Sequence, residues 1–228
     1  MRRCLTVSLT LSLTAAVSLL VTADVVAQRP SSLGNLPSKV GGVAVAEILE
    51  RIGAKMEHGV TRDQLADYAR HFDLVDLDGD GRHSKVEYIE KGTYLSPMAR
   101  RGIFAAADND RDGSVTKAEY TLNRIITDEA KAIVQAMDDG KDRAVQATEF
   151  TKHAGAILKD AKLAGQMFAA LDTDGDKLIR VPEYLRVWGR WARAGRKPAE
   201  QRIAAQEVKL REASKGPREK TAEGNPRN

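Results

Sequence analysis

Carboxylates recur along this 228-residue chain at a spacing able to surround a hard cation. Asp76–Glu87 reads DLDGDGRHSKVE, Asp108–Glu119 reads DNDRDGSVTKAE, and Asp172–Glu183 reads DTDGDKLIRVPE. A weaker copy, Asp138–Glu149, reads DDGKDRAVQATE. In chain order the four starts lie 32, 30 and 34 residues apart, which marks an internal repeat. The residue after each closing Glu is aromatic: Tyr88, Tyr120, Phe150 and Tyr184. Three segments carry a Phe four residues before the first Asp (Phe72, Phe104, Phe168), and the other carries Val134. A solvated acidic turn would require neither the closing Glu nor these flanking apolar positions.

The spacing suits calcium. Ca²⁺ takes six to eight oxygens at about 2.3–2.6 Å, and a twelve-residue loop supplies them from positions 1, 3 and 5, the carbonyl at 7, position 9, and a bidentate Glu at 12. Glycine at position 6 permits the sharp turn because it reaches positive φ without a Cβ clash. In the first loop these places hold Asp76, Asp78, Asp80, the Arg82 carbonyl, Ser84 and Glu87, with Gly81 at the turn. In the second they hold Asp108, Asp110, Asp112, the Ser114 carbonyl, Thr116 and Glu119, with Gly113 at the turn. The segment starting at Asp172 keeps Asp174, Asp176, the Leu178 carbonyl and Glu183, but has Lys177 at the glycine position and Arg180 at position 9. The first change costs on the order of 1 kcal/mol if the left-handed conformation is kept, and the second removes an oxygen and adds positive charge. The segment starting at Asp138 keeps Asp142 and Glu149, yet Gly140 replaces the position-3 ligand and Arg143 the turn glycine. Ligand charge sets affinity, so two strong sites, one weaker and one vestigial site are expected.

These loops resemble the EF-hand family, over roughly residues 61–192. The resemblance implies an all-α fold of helix-loop-helix repeats paired into two lobes, with short two-stranded pairings between loops. Val145 would then face Ile179, and His83 would face Val115. Dockerin modules use similar acidic loops, but their repeats are shorter, and spacings near thirty with helices on both sides favour EF-hands.

The flanking residues supply those helices. Thr61 with Gln64 forms a capping box that opens a helix through Leu65, Tyr68 and Phe72. Ser96-Pro97 opens another through Ile103 and Phe104. Thr127 is read as the cap of a third, with Ile133, Val134 and Met137 at helical spacing, and Leu163, Met167, Phe168 and Leu171 mark a fourth. Ahead of the repeats, Val45, Ile48, Leu49, Ile52 and Met56 predict a helix ending near His58-Gly59 and packing on the first pair. Tyr184, Trp188 and Trp191 share a helix face; packing into their own lobe is the expected use, with a membrane or partner surface as the alternative.

Met1-Arg2-Arg3 followed by a Leu/Val/Ala/Ser/Thr run to Val21 has the form of a secretory signal peptide, with cleavage expected after Ala27 or, second, Ala23. Cys4, the one cysteine, precedes the apolar run, which argues against a lipoprotein and leaves a mature chain without disulfides or cysteine-based zinc sites. From Arg186 to Asn228 there are twelve Lys/Arg against five Asp/Glu, a basic tail behind an acidic body. Basic residues interleaved with aromatics are missing from the repeats, so nucleic acid is not expected as a partner. The divisions read as 1–27 signal peptide, 28–60 leader (mobile over 28–42) and extra helix, 61–126 first pair, 127–194 second pair, and 195–228 a largely disordered tail with helix between Ala199 and Ala213.

Function follows from the loops. His58, His71, His83 and His153 are scattered, and no nucleophile, phosphate loop or histidine cluster suggests an enzyme. The reading is an exported protein, periplasmic or extracellular, in which Ca²⁺ serves a structural or adaptor role. The alternative is a sensor that exposes an apolar groove to an unidentified protein partner.

Overall fold

Four of the described helices start at a side-chain cap: Thr61, Ser96, Thr116 and Asp160. The computed structural model describes residues 38–193 and 196–214. Thr61 caps α2 (Arg62–Asp73) by accepting from the Gln64 N–H at 3.2 Å, while the Gln64 side chain returns the bond to the Thr61 N–H at 2.9 Å. Ser96 caps α3 (Pro97–Ala107) by accepting the Ala99 N–H at 3.2 Å, without a return bond, and proline holds the first position. α4 (Lys117–Met137) starts at Thr116, α5 spans Ala147–Leu158, and Asp160 caps α6 (Ala161–Leu171). α7 (Val181–Arg193) and α8 (Ala199–Ala213) follow. The protein is mostly helical, as expected, with small antiparallel strand pairs.

Those pairs tie the loops two by two. β3 (Arg82–His83) pairs with β4 (Val115–Thr116), setting His83 opposite Val115. β5 (Val145–Gln146) pairs with β6 (Leu178–Ile179), setting Val145 opposite Ile179. Both registers are those expected from the sequence. All four inward residues are at most 1 % exposed, so each strand pair is a floor of the core rather than a surface ribbon. His83 stacks on Phe72 at 3.9 Å between centroids and meets Tyr120 edge-on. Phe150 and Phe168 meet edge-on beneath the other pair.

Several expectations are corrected. Thr127 does not start a helix: α4 runs unbroken for 21 residues, and the Thr127 hydroxyl donates to the Asn123 carbonyl at 2.8 Å. Neither glycine nor proline interrupts residues 117–137, so nothing stops the helix, and the expected 126/127 division falls inside it. The first loop is followed by a single π turn (Val86–Glu90) instead of a full helix.

The extra helix α1 is shorter than expected, Val45–Arg51, because Gly53 turns the chain at φ +114°. Ile52 and Met56 are still buried, Met56 in a 3-10 turn (Met56–Gly59). α1 packs on α5 and α7 rather than on the first pair, and Arg51 donates to the Leu158 carbonyl at 2.7 Å. Residues 39–42, read as the end of a mobile leader, instead belong to a hairpin of β1 (Lys39–Val40) and β2 (Val43–Ala44). Its turn, Gly41-Gly42, has positive φ at both residues and lies so close to α6 that a Cβ on Gly41 would fall 2.5 Å from Gln166 Oε1. The segment expected to be a signal peptide and residues 28–37 of the expected leader lie outside the described residues.

The expected helix between Ala199 and Ala213 is present, and it is docked. Ala199, Arg202, Ile203 and Gln206 are its buried face. Arg202 forks onto Glu57 with Nε–Oε1 at 2.9 Å and Nη2–Oε2 at 2.6 Å, and its Nη1 donates to the Ala192 carbonyl at 3.0 Å. Burial pushes the Glu57 carboxyl up, but the Arg202 hydrogen bonds and charge outweigh it and hold the group below its ordinary value. On α7, Tyr184 and Trp188 are both 1 % exposed against the core, so those two rings are spent in packing. Among the described residues no helix is long and apolar enough to cross a membrane.

Candidate metal centres

All four loops share one backbone frame. The first Asp accepts the N–H of position 6 through Oδ2: Gly81 to Asp76 at 3.0 Å, Gly113 to Asp108 at 3.2 Å, Arg143 to Asp138 at 2.9 Å, Lys177 to Asp172 at 3.1 Å. The closing Glu reaches back to an N–H at position 2 or 3: Leu77 to Glu87 at 2.8 Å, Asn109 to Glu119 at 2.9 Å, Gly140 to Glu149 at 2.9 Å, Thr173 to Glu183 at 2.7 Å. Each loop is thus cinched from both ends by its own carboxylates.

The frame demands positive φ twice per loop. Position 6 has it in Gly81, Gly113, Arg143 and Lys177. Position 4 has it as well, in Gly79, Arg111, Lys141 and Gly175, a requirement that sequence reasoning missed. An L side chain at positive φ costs about 1–2 kcal/mol, so the loop at Asp138, with none of its two places held by glycine, stores the most strain. The first loop, with both, stores none.

Position 9 and position 12 have a second task. In the first loop Ser84 Oγ bonds Glu87 Oε2 at 2.7 Å, and in the second Thr116 Oγ1 bonds Glu119 Oε2 at 3.1 Å. Thr116 and Glu119 form the capping box of α4, so the residues that close the loop also start the exiting helix. Hydrogen bonds from the Ser84 amide and hydroxyl, followed by the Leu77 and Asp78 amides, hold the Glu87 carboxyl at about 2. The Ser114 amide and the Arg82 guanidinium likewise hold Asp112 at about 2. Both are therefore ionised at neutral pH.

Three loops gather their acids and one does not. Asp76, Asp78 and Asp80 converge with carboxylate oxygens within 4.8 Å of one another, as do Asp108, Asp110 and Glu119, and as do Asp172, Asp174, Asp176 and Glu183. Glu87 stands beside the first group, on the Leu77, Ser84 and Asp78 amides. Asp112 stands beside the second, turned toward Arg82. Among the described residues Asp138, Asp142 and Glu149 form no such group, as the Gly140 substitution leads one to expect. Ser114 donates its N–H and its hydroxyl to Asp112 Oδ1, Arg82 lies in β3 and Leu178 in β6.

A cation fits the second loop on a direct observation: Asp108 Oδ1 is buried and has no hydrogen-bond partner. A buried carboxyl oxygen left without a partner in that position is costly unless something positive meets it. Calcium would supply that charge, held by Asp108, Asp110, Asp112, Thr116, Glu119 and the Ser114 carbonyl. Two contacts near this loop left no sequence signal. Arg82, from the first loop, bonds Asp112 Oδ2 at 2.7 Å, and Glu200, from α8, accepts from Thr116 Oγ1 at 2.9 Å.

Comparison with known proteins bears on the same loop. No curated protein matches the chain. A family model described as EF hand matches residues 101–121, the run from α3 through the second loop into the first turn of α4.

Proposed function

We propose that this chain is an exported calcium-binding protein, non-enzymatic, whose four EF-hand repeats pair into two lobes and in which calcium serves a structural or adaptor role. The observation that carries the metal is the orphaned Asp108 Oδ1 inside a ring of acids whose local sequence matches an EF-hand model. Support for the lobes comes from the two strand pairs, which join loops one to two and three to four. Support for export is the Arg-led apolar segment of the sequence, and the destination proposed is periplasmic or extracellular. There, affinities of about 10⁻⁴–10⁻³ M suffice for a structural ion. The strong sites are the loops at Asp76 and Asp108, the loop at Asp172 is weaker, and the loop at Asp138 acts as its unliganded partner.

Isothermal calorimetry of calcium into chelator-treated protein, with circular dichroism alongside, tests the reading. Two or three sites with a gain in helix support it. No heat and no spectral change at millimolar calcium would discard it.

A sensor role has one specific observation in its favour. Leu74, Leu77, Val86, Tyr94, Leu95 and Met98 are exposed large apolar side chains within one stretch around the truncated exit of the first loop. A dye for apolar surface that brightens only with calcium would favour that reading over a structural one.

A further inference from the structure

Position 5 separates the loops in a way that their ligand lists do not. In every loop the Oδ1 of this aspartate accepts the N–H two residues on: Arg82 to Asp80 at 2.7 Å, Ser114 to Asp112 at 2.8 Å, Ala144 to Asp142 at 2.9 Å, Leu178 to Asp176 at 2.8 Å. That bond leaves Oδ2 as the oxygen of position 5 without a backbone donor. In the second loop this oxygen is taken. Arg82 Nη1 donates to Asp112 Oδ2 at 2.7 Å and to Ser114 Oγ at 2.6 Å, reaching across the β3–β4 pair from the first loop. In the loop at Asp172 it is taken as well, from within: Arg180 Nη1 meets Asp176 Oδ2 at 2.5 Å. Among the described residues no side chain donates to Asp80.

Resting on the calcium reading above, we propose that Arg82 and Arg180 are built-in competitors for calcium, each capping the position-5 carboxylate of a loop that binding must uncover. The two sites that the sequence makes equal are then unequal. The first loop, whose Asp80 is uncapped, fills before the second, although both have complete ligand sets. The coupling is also directional: a side chain of loop one restrains loop two, while the Asp112 side chain reaches nothing in the Asp76–Asp80 ring. A guanidinium suits the task because its fork engages the carboxylate and the neighbouring hydroxyl together. The Arg82–Asp112 pair is partly exposed, at 47 % and 38 %, so it holds the carboxylate only weakly. Releasing an ion pair of this kind is worth about two- to five-fold in an equilibrium constant.

Calorimetry with calcium chloride on the full chain tests this, using Glu87→Gln with Glu183→Gln to isolate the second loop. On that background Arg82→Ala is expected to tighten the remaining site about two- to five-fold. Lys85→Ala, which removes the same charge from a side chain of the first loop that meets no carboxylate among the described residues, is expected to leave it within scatter. With Glu87→Gln and Glu119→Gln isolating the last loop, Arg180→Ala is expected to act likewise. Arg82→Gln serves as a second variant, since it keeps the length of the side chain and loses the charge. If wild type binds calcium but Arg82→Ala gains no more than Lys85→Ala, the competitor role is wrong and the calcium reading stands. If wild type takes up no calcium at millimolar concentration, both fall.

Discussion

The second and third loops hang from opposite ends of one helix and differ in nearly everything that matters to a cation. α4 begins in the capping box of the second, at Thr116 and Glu119, and ends at Asp138, the first residue of the third. Both loops adopt the same frame: positive φ at positions 4 and 6, a first Asp holding the position-6 N–H, a Glu closing the ring, a strand residue paired to its neighbour. Only the second gathers three acids around a buried, unpartnered oxygen. The fold of the loop is therefore separable from its ligand set. A chain can keep the geometry of a metal site, even with Lys141 and Arg143 strained into left-handed backbone, because the strand pair and the closing Glu hold it in place.

The sharpest way to break the contrast is to make the third loop a site. Gly140→Asp supplies the missing carboxylate and Arg143→Gly relieves the turn. The expected outcome is one additional calcium in the calorimetric stoichiometry, with an affinity on the order of 10⁻⁴–10⁻³ M. An unchanged stoichiometry would mean that the frame itself, and not the ligands, is unfit.

The second loop is also tied to α8 through Glu200, and α8 is anchored by Arg202 on Glu57. Arg202→Ala strands a buried carboxylate and is expected to lower stability by about 3–5 kcal/mol in denaturant unfolding. The same pair sets an acid limit. Because Glu57 titrates lower in the folded chain than in the unfolded one, its contribution is present above the ordinary carboxylate range. It is lost as pH falls from there through the folded value. Melting temperatures from pH 7 to pH 3 should therefore decline less steeply in a Glu57→Met, Arg202→Met double variant than in wild type.

A smaller difference separates the two closing glutamates. Glu119→Gln should remove one bound calcium and, through the α4 cap, cost about 1 kcal/mol without the ion. Glu149→Gln should leave the calcium stoichiometry unchanged. Equal losses of calcium from both would erase the distinction between these loops.

The smallest effect concerns strain alone. Lys177→Gly and Arg143→Gly are each expected to stabilise the calcium-free chain by a few tenths to about 1 kcal/mol, since relief of positive φ is partly offset by added freedom in the unfolded chain. Gly81→Ala, at the equivalent place, should destabilise it. Urea midpoints decide both.

Much of this was legible from residue type and spacing, because each such feature is local. The acidic ring at Asp76, Asp78 and Asp80, the caps at Thr61 and Ser96, and the facing of Val145 by Ile179 depend on neighbours within one loop or one strand pair. Thr127 misled for the same reason: a cap residue is recognisable locally, but whether a helix stops there depends on a break, and α4 has none. The position-4 strain at Arg111 and Lys141 was hidden because glycine marks that place in only two of the loops. What the tertiary structure alone decided are the long-range encounters: Arg82 on Asp112, Glu200 on Thr116, Arg202 on Glu57, and α1 against α5 and α7. No periodicity encodes them, since a charged side chain finds its partner only after packing has brought distant segments within about 3 Å. The sequence by itself determined which loops carry acids at ring spacing; the packed fold decided which of those carboxylates a distant guanidinium meets.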